Sequence, residues 1–78
     1  MIDQRFIEIL RTVGELDSNF SIDPTQELNA HLGIDSLKLI DVVLSVEREF
    51  GTEIAEDALV RARTVGDFWR EIACTLPA

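Results

Sequence analysis

The sequence has no tyrosine, one tryptophan, one histidine, one cysteine and two prolines in 78 residues. Each shortage closes a class of function. A single cysteine, Cys74, excludes an internal disulfide, and with His31 as the only histidine there is no cluster for a zinc site. The four glycines, at 14, 33, 51 and 66, are too widely separated to form a Gly-rich phosphate cradle. Basic residues are scarce as well: seven Lys and Arg stand against fifteen Asp and Glu, a formal charge of −8. That balance repels nucleic-acid backbones and anionic lipid and attracts basic protein surfaces. No apolar run approaches the ~20 residues that span a bilayer, so membrane insertion is not expected. The opening MIDQRFIEIL carries neither a basic leader nor a cleavage signature, which points to the cytoplasm.

What remains is 46% hydrophobic, mostly aliphatic, in a length that suits one domain over residues 1–78. The expected fold is all-α, with a single core shared by a few helices. Ile2, Phe6, Ile9 or Leu10, Val13 and Leu16 recur at three- and four-residue steps and predict a first helix over 2–16, weakened in its last turn by Gly14. Asp3, Arg5, Glu8, Arg11 and Glu15 read as its solvated face. Residues 17–33 lose the period and form a long connection, anchored by Phe20, Ile22, Leu28 and Leu32, with a short helical turn expected after Pro24. Glu56 to Arg61 fits one or two helical turns with Ala58 and Leu59 inward. Thr64, with Asp67 three residues on, has the form of a capping box. It opens a last helix whose buried face is Val65, Phe68, Trp69, Ile72, Ala73 and Leu76 and which ends at Pro77. Phe68 and Trp69 are read as core aromatics, and Cys74 as a small helix-side residue with no neighbouring charge to hold a thiolate.

The stretch LGIDSLKLIDVVLSVEREF, residues 32–50, organises the rest. Gly33 supplies a turn, Asp35 and Ser36 stand where a capped helix begins, and Gly51 sits where a helix from Ser36 to about Phe50 would stop. On a wheel of about 100° per residue, Leu39, Val43, Val46 and Phe50 form a core stripe. Leu37, Ile40 and Leu44 form a second stripe roughly 130° away, flanked by Asp41, Glu47 and Arg48. A chain this short cannot bury both stripes, so the second is expected to meet a partner.

A nucleophilic role for Ser36 lacks its supporting cast: the context I-D-S-L-K is not a G-x-S-x-G elbow, Lys38 faces away, and His31 is an ordinary loop residue. A helix start suits a serine that receives a group. A phosphodiester there meets the positive end of the helix dipole, worth about 0.3–1 kcal/mol at an exposed position.

Leu32-Gly33-Ile34-Asp35-Ser36-Leu37 resembles the phosphopantetheine attachment motif of acyl carrier proteins, and the likeness extends through Glu49-Phe50-Gly51, Glu53-Ile54 and Thr64-Val65. It is weakest before Leu28. The resemblance implies an acyl-carrier-like four-helix bundle of three longer helices and one short one, with a long first loop. It also implies 4'-phosphopantetheine on Ser36, added from coenzyme A by a phosphopantetheinyl transferase whose magnesium Asp35 helps to hold. A carrier of this kind is no enzyme: it is a monomer that holds acyl groups as thioesters for acyl-loading and acyl-processing enzymes of fatty-acid, specialised lipid or polyketide synthesis. Leu37, Ile40, Asp41, Leu44 and Glu47 match positions where carriers meet those enzymes.

Lys38 and Arg48 depart from the acidic strip usual in fatty-acid carriers, which favours a dedicated set of partners and a specialised acyl or polyketide role. With them the expected partner face comprises Leu37, Lys38, Ile40, Asp41, Leu44, Glu47 and Arg48. The alternatives are an aminoacyl or peptidyl carrier, disfavoured because those usually show Gly-Gly where this chain has Ile34-Asp35, and an acidic helical adaptor that is never modified.

Overall fold

The computed structural model describes residues 2–76, folded as α1 (Gln4–Val13), α2 (Ser36–Phe50), α3 (Glu56–Arg61) and α4 (Val65–Thr75). Among these residues the only extended pairing is an isolated bridge between Glu27 and Thr64. The expected stop at Pro77 lies outside the described residues.

Helix α1 starts on Asp3, whose carboxylate accepts from the Arg5 backbone N–H at 2.8 Å and from the Arg5 guanidinium. Those bonds hold the Asp3 carboxyl below its ordinary range. Phe6 and Leu10 are buried, so Leu10 and not Ile9 is the core residue of that turn. The helix stops short of the expected Leu16. Gly14 caps it, and Glu15 takes up a left-handed conformation at φ 53°, which costs a non-glycine residue about 1–2 kcal/mol. Glycine stands at 14 because of crowding: a Cβ there would lie 3.0 Å from the Leu10 carbonyl oxygen and 3.1 Å from that of Leu32.

The long connection forms no helix directly after Pro24, and its one-turn closures come later, where the His31 and Gly33 amides donate to the carbonyls four residues before them. Residues 23–26 make a single tight turn, Gln26 N–H donating to the Asp23 carbonyl at 3.1 Å, with the Asp23 carboxylate accepting from Thr25. The backbone bonds a helix would use are given to α4 instead. Pro24 and Gln26 carbonyls accept from the Gly66 and Val65 amides, both at 2.9 Å, and Leu28 N–H donates to the Arg63 carbonyl at 3.0 Å. Two otherwise unpartnered N–H groups at the start of α4 are thereby satisfied. Glycine at 66 permits this approach, since a Cβ would stand 3.1 Å from the Pro24 oxygen. Leu28, Leu32 and Ile34 enter the core from this segment, with Phe20 and Ile22 half-buried at its edge.

Helix α2 ends on Gly51 in the left-handed region, φ 63°, as its position predicts. Its buried residues are Val42 and Val46. Leu39, Val43 and Phe50 are only partly buried, so the core stripe is turned by roughly 50° from the expected one. The reason is that α2 packs chiefly on α1, which draws Val42 inward. Helix α3 buries Ala58, and α4 opens with the full capping box between Thr64 and Asp67. Val65, Phe68 and Ile72 are buried, whereas Ala73 is exposed and leaves the expected face. Phe6 stacks with Phe68 and Trp69 at centroid separations of 5.4 and 5.7 Å, and Phe50 meets Trp69 edge-on at 5.9 Å, so the few aromatics join α1, α2 and α4. No described helix is long and apolar enough to cross a membrane.

Three outcomes follow for urea denaturation. Glu15→Gly removes the left-handed strain and raises stability by about 1 kcal/mol. Thr64→Ala deletes the cap of α4 and costs about 1 kcal/mol. Backbone hydrogen bonds from Thr64 and Arg63 hold the Asp67 carboxyl below its ordinary range, so the stability it contributes is full above the unfolded carboxylate pKa and is lost as pH falls through the depressed one. Asp67→Asn should flatten that part of the acid limb of stability against pH; an unchanged limb would refute the assignment.

Candidate functional site

The residues that place Ser36 lie just before it. Leu32 and Ile34 are both buried, and Gly33 between them turns the chain at φ 69°. Ile34 N–H donates to the Leu28 carbonyl at 2.9 Å, and the His31 and Gly33 amides bond the carbonyls of Glu27 and Asn29. His31 Nδ1 accepts from the Glu27 N–H at 2.8 Å, so the imidazole braces this turn and is not aimed as a base. With Ile34 anchored, Asp35 falls at the N-cap of α2, where its carboxylate accepts from the Lys38 N–H at 3.0 Å. Ser36 is the first helical residue and exposed, and its hydroxyl makes no hydrogen bond among the described residues.

A cleft of about 560 Å³ opens beside it between the 27–36 segment and the α3–α4 corner. Leu28, Ile34 and Leu39 contribute apolar lining, and Val60, Arg61 and Arg63 stand on the α3 side. Arg61 is held by Glu71 at 2.9 Å and Asp57 at 3.0 Å, which raise its pKa above the ordinary value.

Of the partner-face residues, Leu37, Ile40, Asp41, Leu44 and Arg48 share an outward arc roughly 100° wide on the α2 wheel, opposite the Val42–Val46 stripe. Leu37 is 76% exposed, and Ile40 and Leu44 are each 52% exposed, large values for aliphatic side chains with no internal contact to lose. Lys38 and Glu47 leave that arc. Lys38 turns toward α1, its Nζ 3.7 Å from the Glu15 carboxylate. Glu47 turns toward the α2–α3 connection, where its carboxylate accepts from the Ile54 N–H at 2.9 Å. Glu49 is likewise drawn to Arg5, at 3.8 Å.

Sequence reasoning passed over Ile34, Val60 and Arg63. Ile34 hid inside a motif read for its chemistry, although an isoleucine two residues after Leu32 was a visible anchor. Val60, 87% exposed, belongs to a helix of six residues, too short for its period to assign a face.

The arrangement fits a phosphopantetheine group on its own geometry. An exposed hydroxyl that makes no hydrogen bond to a described residue, at a helix start beside a roomy cleft, can be esterified without moving a buried atom. The same geometry does not activate the serine, because His31 and Lys38 are engaged elsewhere.

The family described as phosphopantetheine attachment site matches residues 4–72. The acyl carrier protein of Acidothermus cellulolyticus is 32% identical over 60 residues, spanning 77% of this chain and 70% of that one. That of Lactobacillus acidophilus is 38% identical over 53 residues, spanning 68% and 65% respectively. A stretch making up 2% of a polyunsaturated fatty acid synthase polypeptide from Thraustochytrium sp. is 36% identical over 62 residues. The match runs from the first turn of α1 into α4 and takes in the whole Ser36 region, so the chain belongs to the acyl carrier protein family, whose members carry groups on phosphopantetheine and are not catalysts.

Proposed function

We propose that Ser36 is the attachment point and that this chain is a dedicated acyl or polyketide carrier, presenting cargo to a restricted set of enzymes. The observation that carries the reading is the juxtaposition at the start of α2: an exposed serine hydroxyl that makes no hydrogen bond to a described residue, an apolar stripe of Leu37, Ile40 and Leu44 on the outer face, and a cleft on the other side. When bound, the 4'-phosphopantetheine arm supplies a terminal thiol that holds acyl groups as thioesters.

The chain's own residues do the rest. Asp35 keeps the first turn of α2 intact by accepting from Lys38 N–H, and it leaves a carboxylate beside Ser36 that suits the magnesium of the modifying transferase. The dipole of α2 stabilises the phosphodiester by about 0.3–1 kcal/mol. Leu37, Ile40 and Leu44 dock the transferase and later the acyl-loading and acyl-processing enzymes, with Asp41 and Arg48 as polar flank. One chain presents one attachment serine and one dock, which suits a monomer. The lone exposed Cys74 suits a reducing cytoplasm.

Incubation with coenzyme A, magnesium and a broad-specificity phosphopantetheinyl transferase should add one phosphopantetheine mass, located at Ser36 by fragmentation and absent in Ser36→Ala. No gain while a control carrier is modified would overturn the assignment and favour an unmodified adaptor. Leu37→Ala and Leu44→Ala should each lower kcat/KM for the transferase by about tenfold, the range of a buried interface anchor, with an unchanged thermal midpoint.

A further inference from the structure

The hydrogen bond that His31 makes with its side chain is one that a single protonation state can form. The Glu27 backbone N–H donates to its Nδ1 at 2.8 Å. An imidazole nitrogen accepts only through a free lone pair, so Nδ1 is bare and the ring proton sits on Nε2. A protonated ring carries hydrogen on both nitrogens and offers no acceptor. Imidazoles change charge between about pH 5 and pH 8.

The bond closes a reciprocal turn, because the His31 N–H donates to the Glu27 carbonyl at 3.0 Å while the Glu27 N–H donates back to the ring. Glu27 also forms the isolated bridge to Thr64. The next residue, Leu28, is held at both ends: its N–H donates to the Arg63 carbonyl at 3.0 Å, and its carbonyl accepts from the Ile34 N–H at 2.9 Å. Ile34 is buried and stands two residues before Ser36. The His31 ring is thereby tied to the attachment serine through Leu28 and the anchor Ile34.

The charged groups on the elements around this turn have other partners or line the cleft. Glu27 lies within the turn and in the cleft lining, with Arg63 and Asp67 opposite it and Asp35 at the start of α2. The end of α1, where Gly14 crosses Leu32, brings Arg11 and Glu15. Asp67 accepts from the Thr64 N–H, Asp35 accepts from the Lys38 N–H, Arg11 donates to the Asp17 and Phe20 carbonyls, and Glu15 pairs with Lys38. Among the described residues none of these side chains bonds the imidazole, so a protonated ring has no carboxylate partner there to replace the bond it loses.

We infer that His31 is a positioning residue for the modification of Ser36 and makes that modification proton-sensitive: the neutral ring closes the 27–31 turn, and a protonated ring releases the Glu27 N–H and loosens the segment that places the serine. Closure is complete above the imidazole range and is lost as pH falls through it. The effect on modification rests on the carrier reading above, whereas the proton coupling of the turn stands apart from it. A single exposed turn lies at the low-stability end of a fold, where the net value of one hydrogen bond shifts the open fraction by about twofold to tenfold.

The test compares the full chain with its His31→Asn and His31→Ala variants at about pH 7.5 and about pH 5.5, either side of the middle of the imidazole range. Asparagine carries an acceptor oxygen on Cγ, where Nδ1 stands in histidine, and does not titrate. Amide hydrogen-exchange protection at Glu27, Leu28 and Ile34, each rate taken against the intrinsic rate at the same pH, should fall about twofold to tenfold on acidification of the wild type. It should stay level in His31→Asn and be low at both pH values in His31→Ala. The ratio of transferase kcat/KM on the wild type to that on His31→Asn cancels the enzyme's own pH response, and it should fall about twofold over the same interval. Protection with the same pH dependence in the wild type and His31→Asn overturns the inference and leaves the carrier reading standing. Protection that falls while the rate ratio holds constant overturns the positioning role. Absence of modification at Ser36 of the wild type, while a control carrier is modified, overturns the carrier reading and the positioning role with it, and the exchange data then decide the proton coupling of the turn alone.

Discussion

Everything at the Ser36 end of the molecule depends on the seam between the first connection and the mouth of α4. Three backbone hydrogen bonds, Val65 to Gln26, Gly66 to Pro24 and Leu28 to Arg63, fasten a segment with no helix of its own to the rigid start of another. A connection of this length otherwise exposes its peptide groups and carries a large conformational entropy. Here its carbonyls cap a helix and its Leu28, Leu32 and Ile34 enter the core, so the segment is held from both sides. The seam needs glycine at 66, where Pro24 crosses at van der Waals range, and the Thr64–Asp67 box keeps the receiving helix end in shape.

That anchoring explains why a serine on the surface has a defined position. Gly33 makes the turn, Ile34 fixes the depth, and Asp35 begins the helix, so Ser36 is placed by three residues that do no chemistry themselves. The site is a presentation device: rigid backbone beneath, an exposed hydroxyl above, a cleft on one flank and an apolar arc on the other. Its His and Lys neighbours brace a turn and pair with Glu15 just past α1, so neither is placed to activate the serine as a nucleophile.

Electrostatics is distributed by the same packing. Helix α2 sits with Lys38 and Glu49 toward α1 and Glu47 toward the α2–α3 connection, so the residues that share the outward arc are the three aliphatics with Asp41 and Arg48. Net charge describes how the molecule behaves at a distance. The outward arc of α2 has its own balance, set by which side chains the neighbouring elements have engaged.

Much of this was legible in the residues. The helix class, the Thr64–Asp67 box, the Gly51 stop, the two faces of α2 and the L-G-I-D-S-L motif are local features, each determined by spacings of a few residues that any chain with this sequence would satisfy. The seam, the rotation of the core stripe to Val42, the glycine demanded at 14 by two crossing carbonyls, and the engagement of Lys38 and Glu47 joined elements distant along the chain. Only the tertiary structure decided those, because a wheel or a motif records where a side chain starts, while its partner is chosen by whichever segment the fold brings alongside.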